Sequence, residues 1–290
     1  VNSIQGKILI AGATGYLGRH VLAELKSRNL SAVALVRTAS QAKSLEGEGF
    51  EARIGQVTSP DTLRDVFEGV EVVFSSIGIT RQKDGLTYDD VDYQGNLNLL
   101  RAAKAVGVRK FVYTSVYRGD EFRHVKIIDA KERFVDALRA EAIEGCVVRP
   151  TGFFSDMADF FSMAKQGRVF LFGNGEAKLN PIAGEDLAKV CADSLFDNSL
   201  EVNVGGPQTY TQNDIARLAF KVLGTRPVIT HIPMRVAKFL LGFSKLFVKQ
   251  TDYGPIEMYM TVSDHSMAAP EYGVRTLEDH FLSIKNDAEK

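Results

Sequence analysis

The chain has 290 residues, 45% of them apolar, and its 35 Lys and Arg nearly balance 36 Asp and Glu for a net charge of −1. That composition suits a soluble globular protein and excludes bulk electrostatic attraction to nucleic acid or to an anionic membrane. The opening residues lack the apolar core of a secretory signal, and no run of about 18 apolar residues could span a bilayer, so the expected location is cytoplasmic.

The first predicted strand covers residues 7–11 and runs straight into Gly12, Gly15 and Gly18, with a helix expected over 17–28. Strand, glycine turn and helix in that order suit a dinucleotide pyrophosphate. Glycines let the backbone turn tightly and approach phosphates, and a helix N-terminus offers N–H groups and a positive dipole end. Gly12, Thr14, Gly15, Tyr16, Leu17 and Gly18 are therefore candidate cofactor contacts. The spacing is G-x-x-G-x-x-G, not the standard G-x-G-x-x-G, and leaves open a glycine turn without ligand.

A second strand over 32–37 precedes a helix over 40–48. An NAD-selective fold places an acidic residue at that tip for the ribose 2′-hydroxyl, whereas here the tip is Arg37, followed by Thr38 and Ser40. A guanidinium pairs with a 2′-phosphate, which favours NADP(H) over NAD(H); a plain surface arginine is the alternative. After the third strand, 51–54, Gln56 and Val57 stand where adenine would be touched. A helix over 60–68 and a strand over 70–75 lead to Ser76, Ile77 and Gly78. A helix over 88–106 carries a core-facing stripe that includes Leu97, Leu100 and Ala103. The fifth strand, 110–114, ends at Ser115; a helix over 122–142 and a sixth strand, 145–149, lead to Pro150, Thr151 and Phe153. These strand ends are where nicotinamide and substrate would meet. The alternation predicts an α/β protein: a Rossmann-type, doubly wound parallel sheet.

Beyond Thr151 the rhythm loosens into a short strand and turn over 167–175 and helices over 184–195 and 212–223. Residues 1–150 are expected to bind the cofactor. Residues 151–290 would form a smaller, mostly helical substrate-binding part sharing the same core. Cys146 and Cys191 read as buried free thiols, with no disulfide or metal site expected. His20, His124, His231, His265 and His280 are scattered and form no set. Residues 234–250 are apolar with Arg235, Lys238, Lys245 and Lys249 interspersed. They suit an interfacial membrane helix, an apolar lid with its lysines turned outward, or a core or dimer-contact helix.

Several motifs together carry a family resemblance. Gly12-x-x-Gly15-x-x-Gly18, Asp92-Tyr93-Gln94-Gly95-Asn96, Lys110-Phe111-Val112-Tyr113-Thr114-Ser115 and Arg149-Pro150-Thr151-Gly152-Phe153 resemble the atypical short-chain dehydrogenase/reductases of the NmrA-like group. Phe172-Gly173-Asn174-Gly175, Val204-Gly205-Gly206-Pro207 and the Tyr272-Gly273 to Phe281 segment look closest to the divinyl chlorophyllide 8-vinyl-reductase branch. In short-chain dehydrogenases a tyrosine exchanges the substrate proton, and a lysine one turn later lowers its pKa and binds the nicotinamide ribose. The resemblance places that lysine at Lys131 and the usual serine at Ser115, but Ile127 stands where the tyrosine would be. Lys131 would then bind ribose and act as the acid; the alternative is a solvated helix lysine between Asp129 and Glu132. Tyr117 is a candidate replacement phenol.

The expected function is an NADP(H)-dependent oxidoreductase that reduces a conjugated or carbonyl-bearing hydrophobic small molecule. A non-catalytic NADP(H)-binding redox sensor or assembly protein is the alternative that the missing phenol supports. A sugar-nucleotide epimerase or dehydratase would need the absent Y-x-x-x-K pair. Neither a nucleic-acid partner nor an integral membrane segment is expected.

Overall fold

The computed structural model describes residues 4–79, 85–244, 247 and 250–288. The chain forms two compact units, one of Val1–Arg149 with Leu187–Val202, the other of Pro150–Asp186 with Asn203–Lys290. The sequence break expected after residue 150 thus has a complication, because the chain returns to the first unit over 187–202.

Strands β1 (Lys7–Ala11), β2 (Ala32–Val36), β3 (Glu51–Ile54), β4 (Val70–Ser75), β5 (Lys110–Thr114) and β6 (Glu144–Pro150) are followed by β7 (Val169–Phe172), β8 (Lys178–Leu179) and β9 (Glu201–Val204). The large sheet has the order β3-β2-β1-β4-β5-β6-β9, and the pairings from β3 through β6 are parallel. Strands buried on both faces need continuous apolar runs, and Ile8, Leu9, Ile10 and Ala11 of β1 are fully buried. The third strand departs from that expectation. It lies at the sheet edge, and Ile54 keeps 53% of its surface exposed. Strand β9 carries no long apolar run and was not foreseen; it adds to β6 at the other edge.

Helices α1 (Tyr16–Ser27), α2 (Ala39–Gly47), α3 (Asn96–Ala105) and α4 (Lys126–Arg139) accompany these strands. Three predicted helices change form. Residues 60–68 make two short 3-10 turns, Pro60–Leu63 and Asp65–Phe67. The helix expected from residue 88 begins as a π-helical segment, Asp89–Gly95, before α3. The one expected from 122 begins at Lys126, after a 3-10 turn over Gly119–Phe122. Leu97, Leu100 and Ala103 of α3 and Phe134 and Leu138 of α4 pack with Leu9, Val73, Phe111 and Tyr113 in one buried cluster.

In the second unit, α5 (Phe154–Lys165), α7 (Gln212–Leu223) and α10 (Leu277–Ala288) share an apolar cluster that includes Phe160, Phe161, Phe220 and Phe281. Helix α6 (Gly184–Ser194) precedes β9. Strand β10 (Tyr210–Thr211) pairs antiparallel with β8, and β11 (Ile229–Ile232) pairs parallel with β7. Helices α8 (Met234–Ser244) and α9 (Gln250–Ser263) complete the unit. No described helix is long and apolar enough to cross a membrane.

The start of β1 is tied down electrostatically. The Gln5 and Gly6 N–H groups both donate to Glu71 at 2.8 Å, and Arg109 Nε donates to the same carboxylate at 3.1 Å. The Gly6 N–H, with the Gln5 N–H and Arg109, holds the Glu71 carboxyl below its ordinary value of 4.5. Its stabilisation is therefore complete above that value and is lost as pH falls through the lower folded-state value. We expect Glu71→Gln to lower stability near neutrality and to flatten its decline between about pH 5 and 3. Urea midpoints measured across that range test this; parallel curves for the two proteins would contradict it.

Candidate functional site

Strand order reverses between β1 and β4. From β1 the chain steps outward through β2 to β3, then returns to β4 on the other side, which opens a crevice at the carboxyl ends of the two central strands. The glycine turn sits at that point. Gly12 has φ +87°, and a Cβ there would fall 2.7 Å from Ser76 Oγ. A Cβ on Gly18 would lie 2.1 Å from the Gly12 carbonyl oxygen, so only glycine lets α1 start this close to the turn. Gly15 is the N-cap of α1 and supplies no side-chain cap. Thr14 and Gly15 are exposed at the tip, Tyr16 is half-buried, and Leu17 and Gly18 are packed inside. This is the exposed helix N-terminus that a pyrophosphate needs.

Strand β2 ends one residue earlier than expected, which puts Arg37 just beyond its tip, exposed, with its N–H donating to Gln41 Oε1 at 2.9 Å. Thr38 caps α2 through Gln41 N at 3.3 Å. No carboxylate occupies residues 37–40. After β3, Gln56 is exposed while Val57 is partly buried, its carbonyl accepting from Asn98 Nδ2 at 2.8 Å. Ser76 and Ile77 follow β4, and the Ser76 N–H donates to Ala11 O at 3.0 Å. The glycine turn and the uncapped helix end fit a dinucleotide pyrophosphate.

Beneath this edge lies a buried charge pair. The π-helical segment turns Asp92 inward, where it is wholly buried; its Oδ2 accepts the Ile79 N–H at 3.0 Å. Asn96, one turn on, is also buried. It donates to Asp92 O at 2.9 Å, and Ser75 Oγ lies 2.6 Å from its Oδ1. Lys131 Nζ of α4 lies 2.9 Å from Asp92 Oδ1, an ion pair inside the protein. Gly78 covers the pair: a Cβ there would fall 2.6 Å from both Asp92 Oδ1 and Lys131 Nζ. The Lys131 side chain retains 15% exposure.

Lys131 is accordingly no solvated helix lysine. Burial alone would lower its pKa, but the adjacent Asp92 carboxylate, reinforced by the Tyr113 oxygen, raises it above its ordinary 10.5. Burial raises the Asp92 carboxyl, and the Lys131 ammonium opposes that rise. Tyr113 is fully buried, with Lys131 Nζ 5.8 Å from its ring centroid; burial raises its phenol and keeps it protonated. Neither Asp92 nor Tyr113 stood among the sequence-derived site residues. Both do lie in the motifs that carry the family resemblance, which was their signal in the sequence.

Ser115 belongs to a different network. Its hydroxyl donates to Glu132 Oε1 at 2.6 Å, and Glu132 receives Arg149 Nη1 and Nη2 at 2.7 and 2.8 Å. Arg149 Nε also faces Glu201 at 2.9 Å. The structure thus joins Gly78 with Lys131, and Ser115 with Glu132 and Arg149. Tyr117 is half-buried after β5 and makes no hydrogen bond to Lys131 or Ser115. Ile127, in the position of the missing phenol, is packed at 7% exposure. Pro150, Thr151 and Phe153 belong to the second unit, where Thr151 Oγ1 donates to Asn180 O at 2.6 Å and Phe153 N to Asp156 at 3.2 Å.

The other titratable candidates lie apart. Burial pushes the Cys146 thiol up to about 11 and raises that of Cys191 further, the mark of inert packing thiols. His20 stacks edge-on against Tyr16, and His124 is exposed beside Phe122. His231 Nε2 meets Asn213 Oδ1 at 2.9 Å, His265 Nδ1 meets Thr261 O at 2.9 Å, and His280 packs against Phe154.

A family profile described as NAD(P)H-binding matches residues 12–198, from the first glycine of the turn to the segment before β9. The chain belongs to this NAD(P)H-binding family. Among its relatives, the photosystem II assembly factor Ycf39 of Synechocystis sp. is 27% identical over 247 residues, which cover 83% of this chain and 75% of that protein. The chloroplastic divinyl chlorophyllide a 8-vinyl-reductase of Arabidopsis thaliana is 26% identical over 321 residues, covering 96% and 76%. The triphenylmethane reductase of Citrobacter sp., solved as a complex with NADP(H), shares the fold with a TM-score of 0.75 at 19% identity, over 96% of this chain and 99% of that one. The match to the vinyl-reductase and the fold shared with the triphenylmethane reductase each extend along nearly the whole chain.

Three substitutions separate the networks. With Asp92→Asn, burial acts on Lys131 with little opposition, so its pKa should fall below that of the wild type, read from lysine side-chain NMR shifts against pH. An unchanged titration would show that Asp92 does not hold the ammonium. Glu132→Ala should cost about 3 kcal/mol in urea unfolding because it removes the buried carboxylate partner of Arg149, leaving only Glu201 beside the guanidinium. Ser115→Ala should cost only about 1–2 kcal/mol. Equal losses would mean that the serine, not the ion pair, secures the network.

Proposed function

We propose that the chain is an NADPH-dependent reductase acting on a conjugated or carbonyl-bearing hydrophobic small molecule. The observation that carries this reading is a lysine kept charged beneath the cofactor edge, in a fold whose β2 tip offers Arg37 and no carboxylate. Interior charges are costly, and one left partly open at a strand-end crevice is a functional-site candidate. When bound, NADPH would supply the hydride. The glycine turn and α1 N-terminus would take its pyrophosphate, Arg37 its 2′-phosphate, and Gln56 and Val57 its adenine. Ser76, Ile77 and Gly78 would lie along it, and Lys131 would bind its ribose.

With Ile127 in place of a phenol, the usual base for alcohol oxidation or sugar-nucleotide epimerisation is missing. An activated C=C bond or a quinone-like acceptor needs no such base. There Lys131, which stays charged well above neutral pH, can stabilise the negative charge that develops, and water can supply the proton. The 8-vinyl-reductase and triphenylmethane reductase relatives support this class of acceptor.

A second reading is supported by the same isoleucine together with the relative named as a photosystem II assembly factor: cofactor binding without turnover, in service of a partner. Calorimetric titration with NADPH and NADH tests the cofactor reading. We expect wild type to prefer NADPH and Arg37→Ala to lose about 10- to 100-fold of that affinity, the worth of a charge-assisted contact. Equal affinity for both cofactors would overturn the 2′-phosphate assignment. Deuteride transfer from labelled NADPH to a panel of quinones and enones then separates the readings: labelled product supports the reductase, and cofactor-dependent partner capture without transfer supports the second.

A further inference from the structure

Helix α8, Met234–Ser244, is apolar on two faces. Ala237 is buried at 4% exposure and marks the face packed on the protein. At 100° per residue, Val236, Phe239, Leu240 and Phe243 fall within an arc of about 100° on the other side. They are 48, 74, 57 and 60% exposed. Phe247, 76% exposed, extends the stripe by packing on Phe243 with ring centroids 5.3 Å apart. A contiguous exposed patch of this kind, three of its members phenylalanine, marks a surface that is covered in use.

Charge identifies the cover. Residues 215–251 contain no Asp or Glu and seven Lys or Arg, in a chain whose net charge is −1. Arg217, Lys221 and Lys238 pair with Asp214, Glu278 and Asp264. Arg235, whose position on the helical wheel borders the apolar arc, and Arg226 make no ion pair among the described residues. Lys245 and Lys249, which belong to the same stretch of sequence, lie outside the described residues. A symmetric contact with a second copy would set this cationic stretch against itself. One helix of about 16 Å also presents less than the roughly 800 Å² per partner of a stable interface. A water–lipid boundary with negative headgroups satisfies both features at once: aromatic and aliphatic side chains enter the acyl edge while cations meet phosphate.

We propose that α8 is an interfacial anchor that lays its Val236–Phe239–Leu240–Phe243 face into an anionic phospholipid surface, parallel to it and without crossing. The anchor depends on no part of the reductase reading.

The test is co-sedimentation of the full chain with vesicles of phosphatidylcholine alone or mixed with phosphatidylglycerol, beside sedimentation velocity without lipid. The probe variant is Phe239→Ser with Phe243→Ser; both side chains are exposed, and unchanged circular dichroism and urea midpoint certify its fold. Wild type should bind the phosphatidylglycerol vesicles, release with rising salt, and bind at least about tenfold more tightly than the double variant. No binding to anionic vesicles, or equal binding by the variant, would overturn the anchor. So would a wild-type dimer that the double variant dissociates, which would assign the face to a second copy.

Discussion

The hydrogen bond from the Ser76 N–H to the Ala11 carbonyl, 3.0 Å long, closes the pairing of β1 with β4 where the strand order reverses. On one side of it the chain turns through Gly12 into α1; on the other it passes Gly78 over the Asp92–Lys131 pair. The approach is close enough that side chains are excluded from both edges. A Cβ on Gly12 would strike Ser76, and one on Gly78 would strike both members of the ion pair. The tight glycine turn and the covered lysine thus flank one parallel register.

Adjacent residues of α4 serve separate interior networks. Lys131 reaches Asp92 under β4, whereas Glu132 faces Ser115 and Arg149 at the ends of β5 and β6. Successive helical positions differ by about 100°, so neighbours in sequence diverge in space. The Glu132 network is closed, with its carboxylate oxygens matched by donors, and it braces the carboxyl ends of the strands. The Lys131 pair stays partly open, beside a phenol that burial keeps neutral. That division separates the lysine from the serine, although family resemblance groups the two.

Several features could be read along the chain because short-range rules govern them. The apolar runs of β1, β4 and β5 are buried by any doubly wound sheet, and the glycine spacing can be seen without coordinates. Arg37 is conspicuous because a carboxylate is missing. Other features depend on distant neighbours. The edge position of β3 follows from strand order, not from its four residues, and β9 is a strand because β6 offers it hydrogen bonds. The π-helical start before α3 accommodates Asp92 and Asn96 facing the β4 end together, a demand made by the sheet and invisible in helical propensity.

By itself the sequence determined the parallel α/β sheet, the glycine turn, the nicotinamide family and the absence of a phenol at residue 127. Each is set by residue type and local spacing. Only the tertiary structure decided that Lys131 is an interior cation held by Asp92, that Ser115 is bound to Glu132, and that the aromatic stripe of α8 faces outward. Those outcomes depend on which elements meet across dozens of intervening residues, and on whether burial or a neighbouring opposite charge prevails at each meeting.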